Sequence, residues 1–249
     1  MNRARKRLLA TVKRTMIKYA MLQEGDRVAI GVSGGKDSSA LLYTLSLIQS
    51  QVPFPFSLQA IYIDLGWEMD LSPLETLCSR LQVPFHREKT LIQKIVFEMR
   101  QEKNPCSLCA KLRRGALHQA AQDLGCNRVA LGHHLDDLLQ TFFLNLIFTG
   151  RMETFKPTTY LDRRDLYLIR PLVYLTQKTI SSLARQENLP EIKNPCPMAG
   201  ETKRQEISEL VDFIVARYPF FYDRFITSLE KGGFWSGSSP LPAEWRERR

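Results

Sequence analysis

The 249-residue sequence contains no run of eighteen apolar residues, which excludes an ordinary membrane-spanning helix. Its opening, MNRARKRLLATVKRTMIKYA, lacks the unbroken apolar stretch of a secretory signal, so a cytoplasmic protein without membrane attachment is expected. Cysteine is scarce. There are five, an odd number without an export signal, which argues for a reducing compartment and against a disulfide framework. Long disorder is also excluded, because hydrophobic residues make up 44% and charged residues 24%, ordinary globular values. The length allows one large domain or two small ones, with ample material for a core.

Acidic residues are missing from residues 1–23, which hold seven Lys and Arg. The last five residues, WRERR, add three Arg and one Glu, so the net charge of +9 sits at the two ends. A neutral body between basic ends fits a catalytic core carrying polyanion-binding segments; a merely solvated basic helix is the alternative. The chain therefore divides into a basic N-terminal helix (1–23), a central domain (24–200) and a C-terminal helical extension with its tail (201–249).

Residues 3–22 show helical spacing at Leu8, Val12, Met16 and Tyr19. Short apolar runs then alternate with helical patterns. Strands are predicted within 26–33, 56–66, 83–90, 127–134 and 166–175. Helices are predicted over 38–49, 72–82 (capped by Ser72), 109–125, 136–150 and 176–189, with a helical pattern running to Arg100 before a polar loop. Two more follow at 201–217 and 219–231, then a Gly/Ser/Pro-rich tail (232–242) expected to be loose. Strands alternating with helices predict an α/β fold with a doubly wound, mostly parallel sheet. No internal repeat of 20–50 residues is present.

The first predicted strand runs into Gly31-Val32-Ser33-Gly34-Gly35-Lys36-Asp37-Ser38, directly before a helix. Paired glycines allow a tight turn whose N–H groups approach a ligand, and a helix N-terminus favours an anion. Ser33 and Ser38 supply hydroxyls and Lys36 a point charge. A Walker A loop is excluded, because Asp37 follows the lysine and Ile30 stands at the first glycine position. The stretch resembles the SGGxDS signature of PP-loop (adenine nucleotide alpha hydrolase-like, HUP) enzymes. That resemblance implies ATP on the loop, cleavage to AMP and pyrophosphate, and an adenylated substrate in between. Asp64 closes the second strand, where the fold contacts adenosine. Gly132-His133-His134-Leu135-Asp136-Asp137 resembles the family's GHxxDD. Asp136 and Asp137 are candidates for Mg²⁺, which prefers one or two carboxylates plus phosphates; helix capping is the plainer role for one of them. His133 is a candidate phosphate contact or a structural hydrogen-bonder.

Cys106 and Cys109 form C-x-x-C, and Cys196 repeats the local context, since Asn104-Pro105-Cys106 and Asn194-Pro195-Cys196 are the same tripeptide. The preceding proline is expected to hold each thiol on a loop. Cys78 and Cys126 read as small core residues. Three thiols suit a 4Fe–4S cluster with one iron free of protein ligands, whereas a closed zinc site needs a fourth ligand from His118 or Cys126. Spacing alone leaves cluster and zinc open.

CSLCAKLRRGAL (106–117), ALGHHLDDLLQTFFLNLIF (130–148) and the helix after Cys196 together resemble the tRNA 2-thiocytidine synthetases, over about residues 7 to 230. The resemblance implies a 4Fe–4S cluster on Cys106, Cys109 and Cys196 beside the ATP site. It implies an ATP-dependent tRNA sulfurtransferase: adenylation of the C2 oxygen of an anticodon-loop cytidine (tRNA position 32 in the family), then replacement by sulfur to give 2-thiocytidine, AMP and pyrophosphate. Lys36, Asp37 and Asp136 are then the catalytic candidates, and Ser33, Gly34, Gly35, Lys36, Asp37, Ser38, Asp64, Gly132, His133 and Asp137 the ATP contacts, with Mg²⁺. The basic residues Arg5, Arg7, Lys111, Arg113 and Arg114 are the candidate tRNA contacts. Tyr218, Phe220, Phe221 and Tyr222 are either base-stacking or core aromatics. The sulfur donor is expected to be a cysteine desulfurase or free sulfide, and the oligomeric state stays open, a homodimer included. Cys196-Pro197-Met198-Ala199 departs from the family, where a second C-x-x-C often begins at the third cysteine. Three rivals remain: lysidine-type ligation or another tRNA base, sulfur transfer to a small molecule, and a zinc-stabilised nucleic-acid-binding protein.

Overall fold

A computed structural model describes residues 3–100, 105–198 and 203–235. Six strands form one sheet in the order β3-β2-β1-β4-β6-β5. They are β1 (Arg27–Val32), β2 (Ser57–Asp64), β3 (Phe85–Lys89), β4 (Arg128–Ala130), β5 (Thr158–Leu161) and β6 (Leu166–Ile169). All pairings are parallel except β5–β6. The helices are α1 (Arg3–Lys18), α2 (Lys36–Gln49), α3 (Ser72–Arg80), α4 (Pro105–Asp123), α5 (Leu135–Thr149), α6 (Gln177–Gln186), α7 (Lys203–Arg217) and α8 (Phe221–Lys231). The doubly wound α/β expectation holds. No helix among the described residues is long and apolar enough to cross a membrane.

The central strands are buried on both faces, which is why they read as continuous apolar runs. Val28, Ile30 and Ala130 enter a large core with α1, α2, α5 and α6, whereas Ala29, Val129 and Leu168 enter a smaller one with α4. After β1 the chain winds outward through β2 and β3, then returns to the other side of β1 as β4. Strand order reverses there, and the crevice beyond the carboxyl ends of β1 and β4 is where open α/β sheets bind ligands.

Several local expectations are corrected. Ser72 is the first helical residue, not the cap; its N–H donates to Asp70 Oδ1 at 2.9 Å. Residues 94–99 form a π-helical turn. α4 begins at Pro105, four residues before its predicted start, so Cys106 and Cys109 stand on the first turns of a helix and not on a loop; proline suits a first helical position because its missing N–H has no partner there. β5 was not predicted. It is a four-residue edge strand held antiparallel to β6, with Tyr160 and Tyr167 paired across the hairpin at 4.7 Å between ring centroids. The start of the supposedly loose tail is anchored, because Trp235 is buried and donates to the Phe155 carbonyl at 3.3 Å. Residues 236–249, with the basic WRERR, lie outside the described residues. The basic helix α1 is part of the main body: Leu8, Leu9, Val12 and Met16 are buried in the large core.

Candidate active site

The loop between β1 and α2 is built by its own side chains. Gly34 takes φ +82, a left-handed conformation that β-carbon-bearing residues avoid, and an added Cβ would meet Ile192 at 3.2 Å. Ser38 Oγ accepts from Ser33 N at 3.0 Å and donates to the Gly35 carbonyl at 2.9 Å. Gly35 is the N-cap of α2 and makes no side-chain cap, so the first N–H groups of α2 are not closed off by a capping side chain. Lys36 Nζ lies 3.0 Å from both carboxylate oxygens of Asp37.

The β4–α5 turn presses against this loop. A Cβ on Gly132 would meet the Asp37 carbonyl oxygen at 3.1 Å and Ser38 N at 3.2 Å, so a larger residue would have to push the two segments apart by a few tenths of an ångström. His134 is buried and caps α5; its N–H donates to Asp137 Oδ2 at 3.0 Å. Its ring lies 3.4 Å from Asp136, 3.4 Å from Asp137 and 4.0 Å from Asp37. Burial opposes protonation of His134, but the Asp136 hydrogen bond and the charges of Asp137 and Asp37 outweigh it and raise its pKa. Asp136 is buried. Burial pushes its pKa up, but bonds from His134, Tyr222 and Gln177 N push harder and lower it. Tyr222 Oη donates to Asp136 Oδ1 at 2.5 Å, and Gln177 N to Oδ2 at 2.6 Å. Asp137 pairs with Arg204 at 3.1 Å.

Asp64 is placed at the end of β2, but its carboxylate is occupied: Arg87 donates twice to Oδ2, at 2.9 and 2.7 Å, and Gly66 N donates to Oδ1. The His133 ring lies 5.1 Å from Phe155, and its buried Nδ1 has no partner among the described residues.

The segment carrying Cys196 is tied to the phosphate loop. Ile192 N donates to the Gly34 carbonyl at 2.8 Å, and Ser39 Oγ donates to the Pro190 carbonyl at 3.0 Å. Asn194 Oδ1 accepts from Cys196 N at 3.1 Å, an Asx turn that holds this thiol on a loop as expected. Burial raises the Cys109 pKa, Arg113 opposes it, and the Cys196 and Cys106 thiols raise it further, so the three are electrostatic neighbours. Among the described residues no group of three or more His, Cys, Asp or Glu side chains is close enough to hold a single metal ion. The fourth ligands a zinc site would need are elsewhere. Cys126 is buried in the smaller core, and His118 is buried with Arg164 and Arg114 as its charged neighbours. Cys78 and Cys126 are core residues, and burial drives the Cys78 pKa to about 11.

Of the predicted tRNA contacts, Lys111 and Arg114 are exposed and Arg113 half-buried on α4 behind the C-x-x-C, and Arg7 is exposed on α1. Arg5 pairs with Glu187 at 3.3 Å and lies over the Tyr43 ring. Tyr218 and Phe220 are exposed, whereas Phe221 and Tyr222 pack against the core. Sequence reasoning missed His134, Arg87, Gln177 and Arg204, and named Tyr222 only as a stacking or core aromatic. Only His134 carried a signal, as the second histidine of a tandem.

A parallel sheet with a glycine loop at its switch point, faced by GHHLDD, defines a PP-loop nucleotide-binding protein, and the chain matches the PP-loop domain model over residues 4–208. It is 36% identical over 228 residues to a tRNA-cytidine(32) 2-sulfurtransferase from Pelobacter propionicus, covering 90% of this chain and 85% of that one. A Bordetella avium relative of the same name is 39% identical over 88% of this chain and 70% of its own. The chain belongs to the tRNA-cytidine(32) 2-sulfurtransferase family. Among solved structures it resembles the U34-tRNA thiolase NcsA from Methanococcus maripaludis with its [4Fe-4S] cluster: TM-score 0.74, 25% identity, 91% of this chain and 77% of that one. An NH₃-dependent NAD synthetase from Campylobacter jejuni, at 19% identity and TM-score 0.51 over 97% and 98% of the two chains, shares the fold.

Proposed function

We infer that the protein is an ATP-dependent tRNA thiolase that converts a cytidine to 2-thiocytidine. The observation that carries this reading is the Ile192–Gly34 hydrogen bond of 2.8 Å, which ties the Cys196 segment to the nucleotide loop. A ligase that used an amine would need no thiols there.

The loop N–H groups and Lys36 bind the triphosphate, and Lys36 moves from Asp37 onto phosphate as it enters. Asp37 and Asp137 would hold Mg²⁺, which supplies charge neutralisation on the phosphates. Asp136, with both oxygens engaged by Tyr222 and Gln177 N, acts as a positioning residue for His134. The C2 oxygen of the base attacks the α-phosphorus and pyrophosphate leaves. Sulfide then forms the C2–S bond, and the C2–O bond breaks, its electron pair and the oxygen leaving with AMP. No net oxidation occurs. Cys106, Cys109 and Cys196 would hold a 4Fe–4S cluster with one iron free of protein ligands, and the chemistry it supplies is delivery of sulfur at the sulfide level. A cysteine desulfurase or free sulfide is the source. Arg7, Lys111, Arg113 and Arg114 face the tRNA, whose target base must be splayed from a single-stranded loop.

The test is anaerobic reconstitution with iron and sulfide, followed by nucleoside mass spectrometry of tRNA incubated with ATP, Mg²⁺ and sulfide. A sulfur-for-oxygen mass gain on cytidine is expected. Cys106→Ala, Cys109→Ala and Cys196→Ala should each lose the iron–sulfur absorbance and thiolation. Cys78→Ala and Cys126→Ala should keep both and lose about 1–2 kcal/mol of stability. Full thiolation by Cys106→Ala would reject the reading.

A further inference from the structure

Arg170 follows β6 and is 8% exposed, yet no carboxylate among the described residues pairs with it. Its Nη1 donates to the Lys156 carbonyl at 2.7 Å and reaches Thr159 Oγ1 at 3.4 Å. Its guanidinium lies over the Phe155 ring, 4.9 Å from the centroid. Neither contact supplies an anion, and the buried Nε has no partner among the described residues. On the same phenyl ring sits His133, whose Nδ1 is likewise buried and unpartnered. A buried cation and a buried donor left open are costly unless a ligand meets them. Burial lowers the Arg170 pKa to about 10, helped by the charge of Arg114, so the guanidinium stays charged at neutral pH.

The position of this pair says which ligand. β6 is parallel to β4 with Ile169 opposite Ala130, and Leu131 N donates to the Ile169 carbonyl, so Arg170 stands beside the Leu131–Gly132 segment that meets the phosphate loop. Along β4 and β6, Val129 and Leu168 face the smaller core under α4. Arg114 of α4 is a charged neighbour of Arg170, and Asp137 and His134 are charged neighbours of His133, so the pair spans the space between α4 and the carboxylates at the start of α5. α4 carries Cys106 and Cys109. The pair thus lies between the thiol-bearing helix and the carboxylates that face the phosphate loop, whereas the loop N–H groups mark the pyrophosphate side. An anion between phosphate loop and thiols is, in the adenylation reading, the α-phosphate, since it alone stays bonded to the carbon that receives sulfur.

We propose that Arg170 and His133 form a second phosphoryl-oxyanion subsite, which takes the α-phosphate of the nucleotide and holds it as AMP departs. Arg170 donates through Nε, and neutral His133 donates through Nδ1. The same chemistry would suit a backbone phosphate of the tRNA, and the test separates the two sources. The proposal rests on the adenylation reading given above.

The experiment is calorimetric titration of the full-length protein with AMP, pyrophosphate and unmodified tRNA, separately, for wild type, Arg170→Gln and His133→Phe. Arg170→Gln is expected to weaken AMP at least about tenfold, the range of one hydrogen bond to a charged group, and to leave pyrophosphate and tRNA binding at wild-type values. His133→Phe should weaken AMP in the same direction. AMP affinity unchanged in both variants would overturn the proposal, as would a loss confined to tRNA, which would assign the site to an RNA phosphate. Should Arg170→Gln fail to fold, wild-type ¹⁵N NMR gives the answer: AMP, and not pyrophosphate, should shift one buried arginine Nε–H resonance, and absence of any such shift rejects the subsite. A wild type that binds neither AMP nor pyrophosphate would instead fail the adenylation reading itself.

Discussion

His133 and His134 are adjacent in sequence and titrate in opposite directions. Burial, and then the charge of Arg170, lower the His133 pKa to about 4, against a pull from Asp137. His134 is raised by three carboxylates despite its burial. Linkage gives the sign for His133: the unfolded chain takes up its proton near the ordinary 6.5, the folded protein only near 4. Between those values the unfolded state binds more protons, so stability falls as pH drops through that window. His133→Phe should flatten the loss, measured as the urea midpoint at pH 7.5 and pH 5. The tandem was legible as part of GHxxDD. Which charges surround each ring depends on Arg170 and Asp37, far away in sequence.

Helix α1 shows how an element divides its labour. One face buries Leu8, Leu9, Val12 and Met16, and Arg5 clasps Glu187, so removal of the whole helix would open the main core. Arg3, Lys6, Arg7 and Arg14 remain exposed. Their replacement by Gln should weaken tRNA binding, and the log–log salt dependence should become shallower by about 0.7–0.9 for each phosphate no longer neutralised, measured by filter binding across a salt series. AMP affinity should not change. The amphipathic pattern predicted the buried face, yet the inward turn of Arg5 needed the Glu187 that follows α6. The same holds for α4. Its helical spacing was legible, but the start at Pro105 was obscured, because a proline-cysteine pair also fits a loop. β5 was missed because it is only four residues long: Thr and Tyr favour strands, but so short a run gives no clear period and is fixed as a strand by pairing with the β6 edge.

Stability and chemistry are placed at opposite ends of the sheet. At the amino ends of β1 and β4, Asp26 and Arg128 form a buried ion pair, completed by Asn127 and Gln23 N on Asp26 and by the Tyr167 ring under the guanidinium. Removing one partner of such a pair leaves an uncompensated buried charge, so Asp26→Ala should lose about 3–5 kcal/mol in denaturant unfolding. Nucleotide affinity of the folded variant should stay at the wild-type value, because the carboxyl-end crevice is untouched. The sequence by itself determined the alternation of strands and helices, the glycine loop, the Asp pair and the three distinctive cysteines. These are local matters of period, turn chemistry and spacing. Only the tertiary structure decided that the Cys196 segment hangs on Gly34, that Tyr222 and Gln177 hold Asp136, and that Arg170 and His133 share Phe155 with no carboxylate partner to Arg170 among the described residues. Each joins residues from separate elements, and burial sets their partners through the packing of the sheet.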